Sequence, residues 1–136
     1  MTLKMELAEL KDTFAFFDDW EDKYRFIIDL GKELPGLPEA AKQESNLIRG
    51  CQSQVWLIHQ QEGKLMHFTM DSDAHIVRGL IAVVLIAVNN QSADAISAFD
   101  VEGLFAELDL IAHLSVTRGN GLRAMIARIK DIAAAA

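Results

Sequence analysis

The stretch IRGCQSQVW, residues 48–56, contains the only cysteine of the chain, Cys51. One thiol cannot form a disulfide within the chain, and it falls short of the about four ligands that a structural zinc or iron–sulfur site needs. Cys51 therefore either packs as a small apolar side chain or reacts as a nucleophile. Gly50 permits close approach of another macromolecule, and Gln52 and Ser53 could hydrogen-bond a thiolate or a persulfide. These neighbours are typical of a presented thiol, but the residues alone leave both interpretations open.

The other candidate chemical groups are spread along the chain. It has four histidines: His59, His67, His75 and His113. None adjoins Cys51 in sequence, although His59 and His67 lie on opposite arms of a predicted hairpin and could face each other. A spatial Cys–His pair, as in thiol hydrolases, stays open, whereas a resolving cysteine within the chain is excluded. Asp71 and Asp73 stand at the predicted start of a helix, which favours helix caps over paired catalytic carboxylates.

The net negative charge of the chain disfavours some classes of binding partner. Its 136 residues carry a formal net charge of −7, with 51% hydrophobic residues, as in a folded domain. Because like charges repel, we expect neither nucleic acid nor a membrane as a partner. The longest apolar run, GLIAVVLIAV, is about half of the roughly 20 residues that span a bilayer. The N-terminal stretch MTLKMELAELKDTF intersperses charges among apolar residues and has no signal-peptide core, which predicts a cytoplasmic protein.

Apolar spacing predicts the helices that precede the cysteine. An amphipathic helix is expected over residues 1–17, with an apolar stripe of Leu3, Leu7, Leu10, Phe14 and Phe17. A second helix, capped by Asp18 or Asp19, should begin at Trp20 and end by Leu34, because Pro35 disfavours further helical geometry. Residues 35–53 then read as a long connection with a helical turn in PEAAKQE. Connections of that length inside compact domains are usually functional.

The second half of the chain alternates between strand and helix patterns. QVWLIHQ and KLMHFTM, separated by QEG, predict a β-hairpin with Cys51 just ahead of its first strand. A helix buried on all sides should follow to about Val88, and NNQS reads as a polar break. ADAISAF and VEGLFAEL predict brief helices before a last helix that contains Leu122 and Ile132. Neither an internal repeat nor a second domain is evident, so residues 1–136 are predicted to form one domain.

Four blocks of sequence together carry a resemblance. They are DWEDKYRFIIDLGKELPGLP at 19–38, GCQSQVW at 50–56, DSDAHIVRGLIAVVL at 71–85 and HLSVTRGNGLRAMI at 113–126. In this order and at these separations they resemble the SufE family of sulfur-acceptor proteins, which includes CsdE-like members. The resemblance covers nearly the whole chain from Trp20 onward. It implies an α+β fold in which a small antiparallel β-sheet is covered by helices, similar to the IscU-like cluster-assembly scaffold proteins.

The resemblance also implies a function. Cys51 matches the position at which the family accepts sulfur from a cysteine desulfurase, a SufS- or CsdA-like enzyme whose pyridoxal phosphate (PLP) belongs to the partner. The protein would stimulate that enzyme stoichiometrically, without cofactor or metal of its own, and would relay the sulfur to iron–sulfur cluster assembly. Acceptance needs a thiolate that attacks a persulfide and a sulfur that can enter the partner's site. The family places the cysteine loop at one end of the fold, with its side chain able to tuck against apolar cover.

Two further residues gain a role from the resemblance. Arg118, in TRGNGL, matches a family arginine near the cysteine loop, where a guanidinium could stabilise the thiolate or hold the loop. A solvated charge in the first turn of the last helix is the alternative. Asp73 lies where the family flanks the cysteine loop, so a role in loop position or partner contact stands beside capping. With Gly50, Gln52 and Ser53, these residues form the predicted support of Cys51.

Several alternatives remain open at the level of sequence. The blocks mix features of more than one family branch, so the desulfurase and the final destination of the sulfur, iron–sulfur clusters or tRNA modification, are not determined. An iron–sulfur assembly complex and a second copy of the chain are further candidate partners. Rival functions are an iron–sulfur scaffold of the same fold, an interaction module with an inert Cys51, and a stand-alone thiol enzyme.

Overall fold

The computed structural model describes residues 5–51 and 53–136, so Leu3 of the predicted first helix and Gln52 lie outside the described residues. Within the described residues the chain forms six helices and a three-stranded antiparallel sheet with strand order β1-β2-β3. The helices are α1 Leu7–Phe16, α2 Trp20–Lys32, α3 His75–Val88, α4 Ala93–Ala98, α5 Val101–Glu107 and α6 Val116–Ala135, and the strands are β1 Val55–Glu62, β2 Leu65–Ser72 and β3 Gln91–Ser92. The predicted α+β class, with helices covering a small antiparallel sheet, is confirmed.

The β1–β2 hairpin forms where the sequence predicts it, with both strands longer than expected. Gly63, at φ 62°, and Lys64 form the turn, since Glu62 pairs directly with Leu65. Alternation along the strands places the buried apolar side chains on one face, where they join the helices in a common core: Val55, Leu57, Met66, Phe68 and Met70. The register also pairs His59 with Phe68 and Gln60 with His67. The two histidines therefore point to opposite faces of the sheet, and the expectation that they could face each other was wrong.

A third strand follows α3 where the sequence suggested only a polar break. Gln91 and Ser92 pair with Met66 and Leu65 of β2. Just before them, the Asn89 side chain accepts a hydrogen bond from Phe68 N at 2.7 Å and donates one to Phe68 O at 3.1 Å. The amide thus takes the place of a neighbouring backbone at the edge of β2. Two residues are too few to produce the alternating pattern from which strands are predicted.

The helix α3 is buried on nearly every side, as its sequence predicts, and it crosses α2 at very short range. Gly31 of α2 faces Gly79 of α3, and a methyl group added at Gly79 would lie 2.3 Å from both Ile27 O and Ile27 Cγ2. Real carbon atoms do not approach that closely, so backbone and side chain would have to separate. The contact brings the two helix backbones together without intervening side chains.

The first turn of α3 is not capped as the sequence suggested. The helix begins at His75 after Ala74, and no side chain makes a capping hydrogen bond there. Asp71 instead belongs to β2, where it pairs with Trp56, and Asp73 follows the end of the strand. The prediction that Asp71 and Asp73 cap the helix was therefore wrong.

Asp71 can occupy a buried position at the end of β2 because its charge is compensated there. Its side chain is only 4% exposed, and Arg78 Nη1 and Lys42 Nζ lie 3.2 and 3.5 Å from its carboxylate oxygens. The carboxylate also accepts hydrogen bonds from the backbone N–H of Leu37 at 3.1 Å and of Ser72 at 2.8 Å. A charge that is both paired and hydrogen-bonded can be held out of water. Sequence position alone does not reveal such partners.

The start of α6 is fixed from two directions. The ring of Trp20, the first residue of α2, stacks on His113 with centroids 4.3 Å apart and planes 10° from parallel. Ser115 then caps α6, because its hydroxyl accepts a hydrogen bond from Arg118 N at 3.2 Å.

The predicted cap of α2 is confirmed, since the Asp19 side chain accepts a hydrogen bond from Asp22 N at 2.9 Å. None of the described helices is long and apolar enough to cross a membrane.

Replacing Gly79 with alanine should destabilise the fold. The new methyl group would overlap Ile27, and overpacking of this kind costs about 1–3 kcal/mol. Urea denaturation followed by circular dichroism measures the loss. Gly119→Ala in α6 is the matched control, because a methyl group there lies no closer than 3.6 Å to the flexible end of Arg123. Equal stabilities of the two variants would contradict this account of the α2–α3 crossing.

Candidate functional site

Cys51 lies at the tip of a loop whose two arms are joined at its base. Ile48 N donates a hydrogen bond to Val55 O at 2.9 Å, and Leu47 pairs with Trp56 as an isolated antiparallel bridge. The loop is therefore an extension of the sheet beyond β1. Its position ahead of the first strand is the one that the sequence predicts.

The thiol of Cys51 is half-buried against α6. Its Sγ lies 3.5 Å from Gly121 O, within reach of a weak S–H hydrogen bond to that carbonyl. Gly121 packs directly against the cysteine, since a methyl group added there would lie about 3.7 Å from both Cα and Sγ of Cys51, in ordinary van der Waals contact. Burial raises the pKa of the Cys51 thiol, because the charged thiolate is disfavoured away from water. In this conformation the cysteine is held as a protonated thiol.

A cavity of about 270 Å³ adjoins the thiol. Besides Cys51 and Gly121, its lining includes the buried apolar side chains Val55, Val77, Leu80, Leu122 and Met125. The polar lining residues are Ser53, Ser115, Thr117 and Arg118, of which the three from the start of α6 are exposed. The cavity thus has an apolar interior and a polar, solvent-facing side, and the sulfur lies beside both.

The second arm of the loop is held by the residue that follows β2. Asp73 Oδ1 accepts a hydrogen bond from Gln54 N at 3.1 Å, and Asp73 N donates to Gln54 O at 3.3 Å. Both backbone groups of Gln54 are therefore bound by one residue. Asp73 acts on the position of the cysteine loop, and its side chain has no part in capping α3.

The sequence of the chain matches the SufE family, described as an iron–sulfur (Fe-S) metabolism associated domain, over residues 8–133. The chain belongs to the SufE family. A family match of that length agrees with the resemblance carried by the four sequence blocks, so the predicted family is confirmed.

Individual relatives agree with this assignment. An uncharacterised SufE-like protein of Rhizobium meliloti is 47% identical over 129 residues, which cover 92% of each chain. The sulfur acceptor protein CsdE of Escherichia coli is 48% identical over 118 residues, or 85% of this chain and 80% of CsdE. The solution structure of a hypothetical protein from Thermus thermophilus superposes with a TM-score of 0.77, covering 99% of this chain and 97% of that one. Its sequence is only 16% identical, so it supports the fold alone.

Most of the site residues predicted for this SufE-family chain come together in the structure. Cys51, Ser53 and Arg118 line the same cavity, and Asp73 holds the loop that carries Cys51 and Ser53. Gly50 precedes the cysteine with a φ of 92°, while Gln52 lies outside the described residues. The guanidinium of Arg118 makes no ion pair or hydrogen bond with any described residue.

Sequence reasoning missed the groups that shelter the thiol. Gly121, Ser115 and Thr117 were not singled out, although a glycine inside a helical pattern signals a close packing contact. The histidines stay outside the lining of the cysteine cavity. Within residues 5–51 and 53–136, no group of three or more His, Cys, Asp or Glu side chains is arranged to hold a metal ion.

The raised pKa of Cys51 predicts the pH dependence of its alkylation. Iodoacetamide reacts with the thiolate, so the rate should rise with a midpoint above that of an unstructured cysteine, and the midpoint should fall in urea. The folded state binds the proton more tightly than the unfolded chain. The contribution of Cys51 to the free energy of unfolding is therefore fully present below the pKa of the unfolded chain. It is lost as the pH rises through the pKa of Cys51 in the folded state. A folded-state midpoint at or below the unfolded value would contradict a sheltered thiol.

Gly50→Ala should both destabilise the protein and expose Cys51. An alanine at positive φ is strained by about 1–2 kcal/mol, and here its methyl group would also lie 3.3 Å from Ala124 Cβ on α6. Because that contact pushes the loop away from α6, alkylation of Cys51 should accelerate. Gly63→Ala is the control, since Gly63 also has a positive φ but nothing within 4 Å of the added methyl group. Equal alkylation rates in the two variants would refute a specific role for Gly50.

Proposed function

We propose that this protein accepts sulfur on Cys51 from a PLP-dependent cysteine desulfurase and relays it to iron–sulfur cluster assembly, stimulating the desulfurase in the process. The observation that carries the proposal is the placement of the chain's only thiol on a loop beside a cavity that is apolar inside and polar at its exposed side. Membership in the SufE family and 48% identity to a sulfur acceptor protein support it.

The proposed reaction is an exchange of sulfur between two thiols. The Cys51 thiolate attacks the terminal sulfur of the persulfide on the desulfurase. A new S–S bond forms on Cys51, the S–S bond on the desulfurase breaks, and the desulfurase cysteine leaves as a thiolate. The thiol proton of Cys51 goes to solvent or to a base of the partner, and no external oxidant or reductant is consumed. The protein acts stoichiometrically as an accessory and has no cofactor of its own.

Attack on the desulfurase persulfide and protection of the transferred sulfur require Cys51 to occupy two different positions. Burial in the free protein raises the pKa of Cys51 and keeps the thiol protonated, whereas attack on the partner requires an accessible thiolate. We infer that the loop leaves the cavity when the desulfurase binds and returns with the persulfide. Inside the cavity, the apolar side chains would keep soluble reductants from the terminal sulfur.

The residues around Cys51 have supporting roles in this proposal. Gly50 and Asp73 govern the movement of the loop, and Gln52 and Ser53 offer hydrogen bonds to the sulfur. Arg118 would favour the anionic persulfide electrostatically once it forms.

Residues 1–136 would act as one SufE-like domain in the cytoplasm. A CsdA-like desulfurase is the first partner to test, because CsdE is among the relatives, and a SufS-like enzyme is the second.

Cys51→Ser should abolish sulfur acceptance at little cost in stability, because the substitution is nearly isosteric and lies on a loop. The measurement is the intact mass of the protein after incubation with desulfurase and cysteine without added thiols. Wild type should gain sulfur that dithiothreitol removes, while Cys51→Ser should gain none and should no longer stimulate the desulfurase.

The control for this experiment is Ser53→Ala, which changes a neighbouring hydroxyl and leaves the thiol in place. It should still gain sulfur. A desulfurase stimulated equally by wild type and Cys51→Ser would indicate an interaction module with an inert cysteine. Sulfur gain by Cys51→Ser, or none by wild type with either type of desulfurase, would refute the assignment of Cys51 as acceptor.

A further inference from the structure

We propose that Asp71 is a positioning residue for Cys51. Its buried carboxylate, which touches neither the thiol nor the cavity, holds the end of β2 in the geometry that keeps the cysteine loop against α6. This inference extends the proposed function, and it rests on that function only where it concerns sulfur transfer.

The Asp71 cluster consists of Asp71, Arg78, Lys42 and the backbone N–H of Leu37. Arg78, Lys42 and the Leu37 N–H each lie between 3.1 and 3.5 Å from an oxygen of the Asp71 carboxylate. Arg78 extends the cluster to the end of α2, since its Nε and Nη2 donate to Gly31 O at 3.3 Å and Leu34 O at 3.2 Å. One carboxylate thereby joins β2 to α3 and to the segment that follows α2.

The cluster lies directly beneath the base of the cysteine loop. Asp71 is the cross-strand partner of Trp56, and the Lys42 ammonium lies over the Trp56 ring, 5.4 Å from its centroid. Trp56 in turn pairs with Leu47 on the opposite arm of the loop. One arm of the loop thus starts at Trp56, which the Asp71 cluster contacts, and the other arm starts at Leu47, the bridge partner of Trp56.

The connection from Asp71 to the loop continues along three consecutive residues. The Asp71 carboxylate accepts from Ser72 N, the Ser72 hydroxyl accepts from Ala74 N at 3.2 Å, and Asp73 between them binds both backbone groups of Gln54. The turn at 71–74 is therefore braced from the buried side by a charge. Asp73 can hold Gln54 in place only while that turn keeps its shape.

The negative charge of Asp71 is essential to this arrangement. An amide at position 71 would retain the size of the side chain, but it would leave Arg78 without its carboxylate partner and Lys42 with only the exposed carboxylate of Glu39. Arg78 would then move toward water, since an uncompensated buried charge is strongly disfavoured, and Lys42 would move toward the exposed Glu39. Their departure releases Trp56 and the 71–74 turn together, so the cysteine loop loses its support on both arms.

Asp71→Asn should make Cys51 more reactive while the fold persists. A loosened loop returns the thiol pKa toward its ordinary value and leaves more thiolate at pH 7, so alkylation there should accelerate about three- to tenfold. The experiment measures iodoacetamide alkylation of the full chain between pH 6 and pH 10, with the melting temperature determined in parallel. We expect a lower pH midpoint in Asp71→Asn than in wild type.

Two further variants make the result decisive. Asn89→Ala removes two hydrogen bonds to Phe68 of the same strand, so it loosens β2 without touching the Asp71 cluster, and its alkylation midpoint should equal that of wild type. Lys42→Met keeps the Asp71–Arg78 pair and therefore the fold, and it should shift the midpoint in the same direction as Asp71→Asn by a smaller amount. It also provides the test if Asp71→Asn does not fold.

Either of two results would overturn the proposal. One is an unchanged midpoint in both Asp71→Asn and Lys42→Met. The other is an equal shift in Asn89→Ala at a similar loss of melting temperature, which would assign the effect to general loosening of the strand. Alkylation needs no desulfurase, so this outcome is independent of whether Cys51 accepts sulfur. In the sulfur-transfer assay, Asp71→Asn should still gain sulfur, but dithiothreitol should remove it faster than from wild type.

Discussion

The compensated charge of Asp71 is the interaction on which the arrangement around Cys51 depends. A carboxylate that is 4% exposed has lost most of its contact with water, and here Arg78, Lys42 and two backbone amides replace that water. Those partners come from α3, from the connection after α2 and from β2 itself. Satisfying one charge therefore fixes the relative positions of three segments.

Helix packing provides the frame for that charge cluster. The glycine contact between α2 and α3 brings the carbonyl groups at the end of α2 close to Arg78, which binds two of them. Without the close approach at Gly79, the guanidinium would not reach both those carbonyls and Asp71. The polar cluster therefore depends on the core contact between the two helices.

The state of the thiol follows from the same constraints. Cys51 is sheltered by Gly121 and the apolar end of the cavity, and the shelter raises its pKa, which is the opposite of what a freely reactive nucleophile needs. A protein that must carry a reducible sulfur between partners benefits from that combination. In the proposed cycle, the thiol would react slowly with stray electrophiles while the loop is docked, and it would become a nucleophile when the loop is drawn out.

The sequence by itself determined most of the secondary structure and the candidate acceptor, Cys51. Helical and alternating spacing identified α2, α3 and the β1–β2 hairpin, and the solitary Cys51 with its flanking blocks identified the family, because periodicity and local motifs are written along the chain. Only the tertiary structure decided what surrounds the thiol. Asp71 and Asp73 looked like caps of α3 because capping depends on position, but the contacts that give them other roles come from Arg78, Lys42 and Gln54, which are distant in sequence. Such pairings arise from packing, which no local pattern encodes.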